Sequence, residues 1–439
     1  MDAIVIGAGA SGLAAARWLA GRSLRVIVLE ARDRIGGRVF SHPTSRAAVP
    51  AELGAEFIHG RADATLGLLR ETGTAAIELG GESWSCRADG DLRREDDGFS
   101  SAAGIFEGIC SLAGDESVDR FLRRFEGDAA MRKTATAARA FVEGFEAADP
   151  AIASTRAIAD EWRTGVDSAA TRPLGGYRPI FEHLHEACAA AGVQFELSTV
   201  VRRISWRRGA ATVDATGRSG EPLSVRARAA IVTLPVGVLR ARGDETGIAF
   251  DPGLPAAKRD ALASIEMGHA VRVALWFQTA FWTRLSDGRY RDAAFFRCEG
   301  QPFAAYWTQF PVRSELIVAW AGGPKATALG GASPAELVER ALDGFGAMFA
   351  EPALARSEFV DGVMHDWSGD PFARGAYSYV AVGGSDARAA LAAPVDDTLF
   401  FAGEATSHDG QGGTVNGALE SGARAAREAF ASLGGSHDG

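Results

Sequence analysis

The 439-residue sequence predicts an α/β fold organised around a parallel sheet. An apolar run, "AIVIG" at 3–7, leads into a helical pattern at 11–22, and a second apolar run, "RVIVLEAR", follows at 25–32. Buried strands of a parallel sheet are typically short, continuous apolar runs. A strand, a helix and a second strand within about 30 residues form a βαβ unit.

The first turn of this unit carries a glycine motif. Gly7, Gly9 and Gly12 form G-x-G-x-x-G between the strand and the helix. Gly7 permits the tight turn, Gly9 lets backbone reach a pyrophosphate, and Gly12 allows the helix to pack closely on the strand. Glu30 ends the second strand, where a carboxylate accepts hydrogen bonds from a ribose hydroxyl. The unit therefore predicts a Rossmann-type dinucleotide site, with phosphates at the helix N-terminus.

The next elements are helices and then strands. The pattern between about 60 and 190 is mostly helical, in the segments 62–73, 115–149 and 177–192. An alternating run at 193–216 is typical of a hairpin, and 228–239 is a buried strand closed by Pro235.

The second half is rich in aromatic strands. These strands are predicted at 269–282, 292–298, 303–310 and 315–323, and we expect about two of their aromatic residues to line a cavity. Ser333 and Glu336 form a capping box that begins a helix over 333–350. A strand at 398–404 and a helix at 413–433 end the pattern, and the two kinds of segment indicate interleaved domains.

Composition excludes several classes of function. With 46 basic and 56 acidic residues the net charge is −10, which argues against non-specific nucleic-acid binding. We find no apolar run of the roughly 18 residues that span a bilayer. The cysteines are scattered and form no metal-binding motif. We therefore expect a cytoplasmic protein in which all four are free thiols, namely Cys86, Cys110, Cys188 and Cys298.

Further glycine-rich segments favour FAD over NAD as the dinucleotide. Gly36 and Gly37 offer a second close approach of backbone to phosphate, and Arg38 could pair with it bidentately. "AELGAEFIHG" at 51–60 is another glycine-rich strand end. A helix that begins near Gly413 could direct its positive end at the pyrimidine edge of a flavin.

These segments resemble the flavin-containing amine oxidase family, which includes monoamine oxidases, polyamine oxidases and histone lysine demethylases. The resemblance extends from residue 2 to about 430, with no specific motif between about 80 and 190. It implies a Rossmann-type FAD-binding domain interleaved with an α+β substrate domain, a mixed sheet flanked by helices. The implied boundaries are 1–80, 190–255 and 380–435 for FAD binding, and 81–189 and 256–379 for substrate binding.

The resemblance also assigns roles to individual residues. The residues that it implies for FAD binding are Gly7, Gly9, Gly12, Glu30, Arg32, Gly37, Arg38, Gly54, Ala55, Val201, Glu404, Thr414 and Val415. No metal is implied. Monoamine oxidases carry a flavin-linked cysteine where this chain has Ala376, so the FAD should be non-covalent.

The implied reaction takes a hydride from the carbon next to an amine nitrogen, giving an imine and, with O2, hydrogen peroxide. Tyr377 is the candidate for the aromatic ring beside the substrate, and His59 could orient the amine or relay protons near neutral pH. Arg272 stands where the family has a lysine near flavin N5. Three interpretations of Arg272 are open: it replaces the positive charge of that lysine, it binds a carboxylate of the substrate, or its side chain faces away from the flavin.

Two other functions remain open at this point. One is a flavin dehydrogenase or desaturase that acts on a non-amine or carboxylate-bearing substrate, which the charge of Arg272 favours. The other is a non-catalytic, flavin-bound binding protein. The expected partners are a small molecule, most simply an amine, and O2 as electron acceptor; the oligomeric state is open.

Because Ala376 has no thiol, we predict that acid precipitation of the purified protein leaves the yellow colour in the supernatant. Absorbance of the two fractions near the flavin band measures this. Colour that stays with the pellet would show a covalent bond.

Overall fold

The protein is described by a computed structural model that covers residues 1–42, 49–86, 91–95, 102–106, 114–164, 170–241 and 246–435. Its first sheet is parallel and five-stranded, and it confirms the α/β fold and the βαβ unit. In spatial order its strands are Gln194–Glu196, Val26–Leu29, Ala3–Ile6, Ala229–Val232 and Leu399–Phe401. The first and last parts of the chain therefore meet in one sheet.

Two long helices cover one face of this sheet. Ala10–Ala20 follows the first strand, and Val415–Ser432 is the C-terminal helix. A Cβ atom on Gly422 would lie 2.2 Å from the carbonyl oxygen of Ser11, so glycine is required where the helices touch. Small residues from both helices pack with the sheet in one core. Asp63–Thr72 and Arg178–Ala190 pack beside them.

The second sheet is mixed and seven-stranded. In spatial order its strands are Phe359–Met364, Ala270–Phe277, Leu316–Gly322, Ala305–Trp307, Ala293–Arg297, Glu82–Cys86 and Leu92–Glu95. One neighbouring pair is parallel and the others are antiparallel. Helix Pro334–Met348 packs its buried face on this sheet and begins with the expected capping box at Ser333. Buried aromatic residues such as Phe277, Trp282 and Phe345 fill the core between the helix and the sheet.

Smaller elements connect the two sheets. The predicted hairpin is Val200–Arg207 with Ala210–Thr216, extended by Pro222–Ala227 and Ala249–Asp251. Short pairings join Ser41–His42 to Ala51–Glu52, Ile265–Met267 to Ser378–Val380, and Ala170–Pro173 to both Ile58–His59 and Ala76–Glu78. The remaining helices include Val118–Leu122, Arg132–Gly144, Thr155–Thr164, Val236–Arg240, Ala256–Ala263, Gly323–Ala328, Pro352–Glu358 and Ala387–Ala392.

The prediction of a mostly helical segment between 60 and 190 is partly wrong. Four strands lie there, at Ala76–Glu78, Glu82–Cys86, Leu92–Glu95 and Ala170–Pro173. In Glu82–Cys86 only the central Trp84 is buried, so the strand has no apolar alternation to reveal it. Its pairing with Ala293–Arg297, about 200 residues away in the chain, stabilises it instead. The helix predicted over 115–149 is likewise broken into shorter pieces.

The expectation of four free cysteines is wrong for two of them. Cys86 and Cys298 form a disulfide, with their Cα atoms 4.9 Å apart at the ends of two paired strands. Cys188 is free and buried, and burial raises the pKa of its thiol to about 11. Cys110 lies outside the described residues. The disulfide removes one of the reasons for expecting a reducing compartment. No helix in the described ranges has the length and apolar character that crossing a membrane requires.

Candidate functional site

A cavity of about 1620 Å³ runs between the two sheets. This exceeds the roughly 300–1,000 Å³ of ordinary ligand pockets, so an extended dinucleotide and a second molecule both fit. With the exception of Gly12, every residue expected to bind FAD lines the cavity. These residues are Gly7, Gly9, Glu30, Arg32, Gly37, Arg38, Gly54, Ala55, Val201, Glu404, Thr414 and Val415. The candidate catalytic residues His59, Arg272 and Tyr377 line it as well. In the described part of the chain, no cluster of ligand-type side chains could hold a metal.

The glycines form a cradle that side chains would fill. Gly7 has a φ of +105°, and a Cβ atom on Gly12 would lie 1.9 Å from its carbonyl oxygen. Gly12 therefore acts through close packing of the turn, as expected, while Gly9 and Gly37 face the cavity. A Cβ atom on Gly54 would lie 1.9 Å from the carbonyl oxygen of Arg38. This close approach of backbone segments fits a bound pyrophosphate.

Glu30 lines the cavity at the end of strand Val26–Leu29. It is buried, and its carboxylate accepts hydrogen bonds from the backbone N–H groups of Ala8 (2.7 Å) and Arg32 (2.8 Å). Each carboxylate oxygen has two lone pairs, so acceptor capacity remains for a ribose. The Arg32 side chain pairs with Asp370 at 2.6 Å. Burial acts to raise the pKa of Asp370, but hydrogen bonds from His365 and Arg32 outweigh it and lower that pKa.

Arg38 and Glu404 join distant parts of the chain at the middle of the cavity. Arg38 Nη1 donates to the carbonyl oxygen of Ala376 and to Glu404 Oε1, both at 2.8 Å. Arg38 therefore faces the cavity and is also paired with a carboxylate. The expectation that it pairs with a phosphate did not include this second interaction. Ser378 donates to the other oxygen of Glu404. Burial acts to raise the pKa of Glu404, but the charges of Arg38 and Arg388 outweigh it and lower that pKa.

The C-terminal helix presents its N-terminus to the far end of the cavity. Thr414 is its N-cap, and the Thr414 hydroxyl accepts a hydrogen bond from the Gly417 N–H at 2.9 Å. A Cβ atom on Gly413 would lie 3.4 Å from the ring of Tyr377. The positive end of the helix and an aromatic ring therefore lie side by side.

Tyr377 stands beside a buried carboxyl group that the sequence did not reveal. The Tyr377 hydroxyl donates to the carbonyl oxygen of Phe145, which fixes the ring. The adjacent Glu146 accepts a hydrogen bond from the Trp162 indole at 2.6 Å and lines the cavity. Burial, together with the nearby charge of Glu161, raises the pKa of Glu146 to about 8.

His59 lies on the same side of the cavity, half-buried, with its ring 5.0 Å from that of Phe145. Its Nδ1 atom has no hydrogen-bond partner. Burial lowers the pKa of His59 to about 4, so the imidazole is neutral at neutral pH. The expectation of a proton relay that titrates near pH 7 is therefore wrong for this environment.

Arg272 faces the cavity, so the interpretation that it faces elsewhere is wrong. Its Nη1 atom donates to the carbonyl oxygen of Gly54 at 2.8 Å, and its Nη2 atom pairs with Glu56. Glu56 also pairs with Arg172 at 2.9 Å. Glu56 and Arg172 were not recognised from the sequence, because only the folded chain brings them to Arg272. Two of the aromatic residues between 276 and 307 line this wall, Phe295 and Trp307, and Trp320 of the same sheet also lines the cavity.

We predict that Glu30→Ala weakens FAD binding by roughly 1.5–3 kcal/mol, the value of hydrogen bonds to a charged acceptor. The substitution also leaves the Ala8 and Arg32 N–H groups without their acceptor. Flavin content after dialysis measures the effect, with Glu186→Gln on an exposed helix face as control. Unchanged content in Glu30→Ala would show that this carboxylate does not contact the cofactor.

We predict that Glu146→Gln changes how stability depends on pH. Folded Glu146 keeps its proton up to about pH 8, whereas the unfolded carboxyl ionises above its ordinary pKa of 4.5. Between these values the folded state binds more protons, so this contribution to the free energy of unfolding falls as pH rises. Relative to wild type, the variant should therefore gain stability from about pH 5 to about pH 8, by up to a few kcal/mol. Urea unfolding at both pH values tests this, and a constant difference would contradict it.

Comparisons with known proteins agree with this architecture. The sequence profile of the family described as flavin containing amine oxidoreductase matches residues 10–89 and 107–429. Polyamine oxidase 3 of Oryza sativa subsp. japonica is 28% identical over 466 residues, which covers 97% of this chain and 88% of that protein. The solved structure of wild-type putrescine oxidase bound to putrescine has a TM-score of 0.77 at 23% identity, covering 98% of this chain and 99% of that chain.

Longer proteins also match. Protein FLOWERING LOCUS D of Arabidopsis thaliana is 29% identical over 450 residues, covering 96% of this chain but 54% of its own length. The chain thus spans about half the length of such relatives. Its glycine cradle, its cavity and a profile match over most of its length lead to one conclusion: this chain belongs to the flavin-containing amine oxidoreductase family, and its cofactor is FAD.

Proposed function

We propose that the protein is an FAD-dependent oxidase that removes a hydride from the carbon next to an amine nitrogen and passes the electrons to O2. The bound flavin supplies the redox chemistry. The segments 1–80, 190–255 and 380–435 hold the cofactor in this proposal, and 81–189 and 256–379 form the substrate side. The observation that carries the proposal is the cavity region where Tyr377 and Glu146 stand beside the N-terminus of the C-terminal helix.

This region suits an amine because it combines an aromatic face with a carboxyl group that titrates near the pH range in which amines lose their proton. Amines in water are mostly ammonium ions, which have no lone pair to assist hydride loss from the neighbouring carbon. Burial raises the pKa of Glu146 to about 8, so near and above that pH its carboxylate is ionised and is suited to take the proton that a bound ammonium gives up. The ring of Tyr377, fixed through Phe145, offers its face to either form of the amine.

The environment of Arg272 weakens the case for a carboxylate-bearing substrate. Its guanidinium is already bonded to Glu56 and to the Gly54 carbonyl, and its Nε atom is buried. A substrate carboxylate would have to displace the Glu56 oxygen that pairs with Arg272. Glu56 offsets one of the two positive charges of Arg272 and Arg172, which reduces the repulsion of a cationic amine.

The remaining residues exclude water and orient the substrate. The neutral imidazole of His59 can accept or donate one hydrogen bond without placing a charge near the amine. Phe57, Phe295 and Trp307 add apolar surface to the same wall. An apolar, partly closed cavity strengthens the few polar contacts that a small amine makes. A cytoplasmic location, as expected from the sequence, completes the proposal.

The test is anaerobic mixing of the yellow protein with a panel of primary amines, secondary amines, amino acids and alcohols. We expect simple amines to bleach the flavin band and admitted air to restore it with release of hydrogen peroxide. Glu146→Gln should slow bleaching by amines about tenfold or more, while Glu186→Gln on an exposed helix face leaves it unchanged. Bleaching by alcohols or acids alone would favour a dehydrogenase of non-amine substrates. The absence of bleaching with every compound would favour a binding protein.

A further inference from the structure

Three charged side chains meet in the wall of the cavity. Arg172 comes from strand Ala170–Pro173, Glu56 follows Gly54, and Arg272 comes from strand Ala270–Phe277. Each is about 5% exposed. Glu56 binds Arg172 through one carboxylate oxygen and Arg272 through the other, so a single carboxylate holds both guanidinium groups.

Neighbouring groups fix this cluster in one arrangement. The Trp307 indole donates to Glu56 at 3.1 Å, and the Arg272 guanidinium lies over the Trp307 ring at 5.3 Å. Gln309 accepts from Arg172. Because separating a buried ion pair leaves an uncompensated charge, rearrangement of the cluster is strongly disfavoured.

The cluster lies against a part of the wall whose backbone lines the cavity. Arg272 holds the carbonyl oxygen of Gly54, and both Gly54 and Ala55 line the cavity. The strand that carries Arg272 continues from Gly268, which exchanges backbone hydrogen bonds with Ala376 and Tyr377. Side chains alternate along a strand, so Ala270 and Arg272 share the face that looks into the cavity.

The cluster has a net charge of one positive unit, from two arginines and one glutamate. Arginine does not lose its proton in proteins. Burial acts to raise the pKa of Glu56, but the charges of Arg272 and Arg172 outweigh it and lower that pKa. Glu52 is the other titratable carboxyl nearby; burial raises its pKa to about 7, and it is bonded to Ser41 and to the Tyr177 N–H rather than to either arginine.

We propose that Glu56 is a positioning residue that locks Arg272 against Gly54, so that the Arg172–Glu56–Arg272 cluster directs a fixed single positive charge at the bound flavin. A lysine in place of Arg272 could lose its proton, whereas this cluster keeps its charge across the physiological range. The inference depends on flavin binding and not on the amine as substrate. Its failure is therefore distinguishable from failure of the proposed function.

Sulfite tests the charge directly, because this anion adds reversibly to oxidised flavin and bleaches its colour. Its affinity rises with positive charge near the flavin and requires no substrate. Glu56→Gln changes the cluster from one to two positive charges, and Arg172→Gln changes it to zero. We expect the dissociation constant for sulfite to fall roughly tenfold in the first variant and rise roughly tenfold in the second, at constant pH and ionic strength.

Two surface variants provide matched controls. Glu339→Gln and Arg356→Gln make the same charge changes in an exposed ion pair, and we expect sulfite affinity within about twofold of wild type. Glu56→Asp keeps the charge with a shorter side chain, so it should restore most of the wild-type affinity if Glu56→Gln folds poorly.

Opposite shifts in Glu56→Gln and Arg172→Gln would support the proposal. An unchanged dissociation constant in Arg172→Gln would overturn it, because that variant removes the net charge but leaves the Glu56–Arg272 pair intact. If both variants lose flavin but the flavin that remains binds sulfite with unchanged affinity, the cluster has only a structural role. That result would also overturn the proposal.

Discussion

Ion pairs between arginines and carboxylates hold the wall of the cavity together. Arg38 pairs with Glu404, Arg32 with Asp370, and Arg272 with Glu56. Each pair joins segments more than 200 residues apart, so the cavity exists only when distant parts of the chain meet. A buried charge without its partner is costly, so loss of either member of a pair would destabilise the wall.

This constraint explains why the cavity is charged in its wall yet suited to a small, largely apolar substrate. Each of these arginines is paired with a carboxylate, which lowers the net charge of the wall, and the ring of Tyr377 is fixed by a backbone carbonyl. Glu146 differs from these carboxylates because its near neighbour is a second acid, Glu161, which is itself paired with Arg388. Burial and the charge of Glu161 raise its pKa, and the positive charge of a protonated amine would favour its ionised form.

The sequence revealed the parts of the site that depend on local geometry. G-x-G-x-x-G requires a strand before it and a helix after it, and Glu30 requires only the end of the next strand, so both were recognisable without the fold. Glu56, Arg172 and Glu146 were not, because an arginine or glutamate has no local pattern that reveals a partner far away in the chain. The same reason hid strand Glu82–Cys86 and the disulfide that joins it to Cys298.

His59 shows a different limit of sequence reasoning. Its position after a glycine-rich strand end correctly placed it at the cavity, but its titration depends on how deeply the folded protein buries it. The same holds for Arg272, whose position was predicted and whose carboxylate partner was not. A residue type indicates possible chemistry, while burial and neighbours decide which form of it operates.

The most direct measurement is a crystal structure of the protein with its FAD and a slowly reacting amine. The account predicts the pyrophosphate at the Gly7–Gly12 turn, the flavin ring beside the N-terminus of the C-terminal helix, and the amine nitrogen between Tyr377 and Glu146. Arg272 should remain bonded to Glu56 on the flavin side. An amine bound elsewhere in the cavity, or Arg272 released from Glu56 to contact the ligand, would contradict the account.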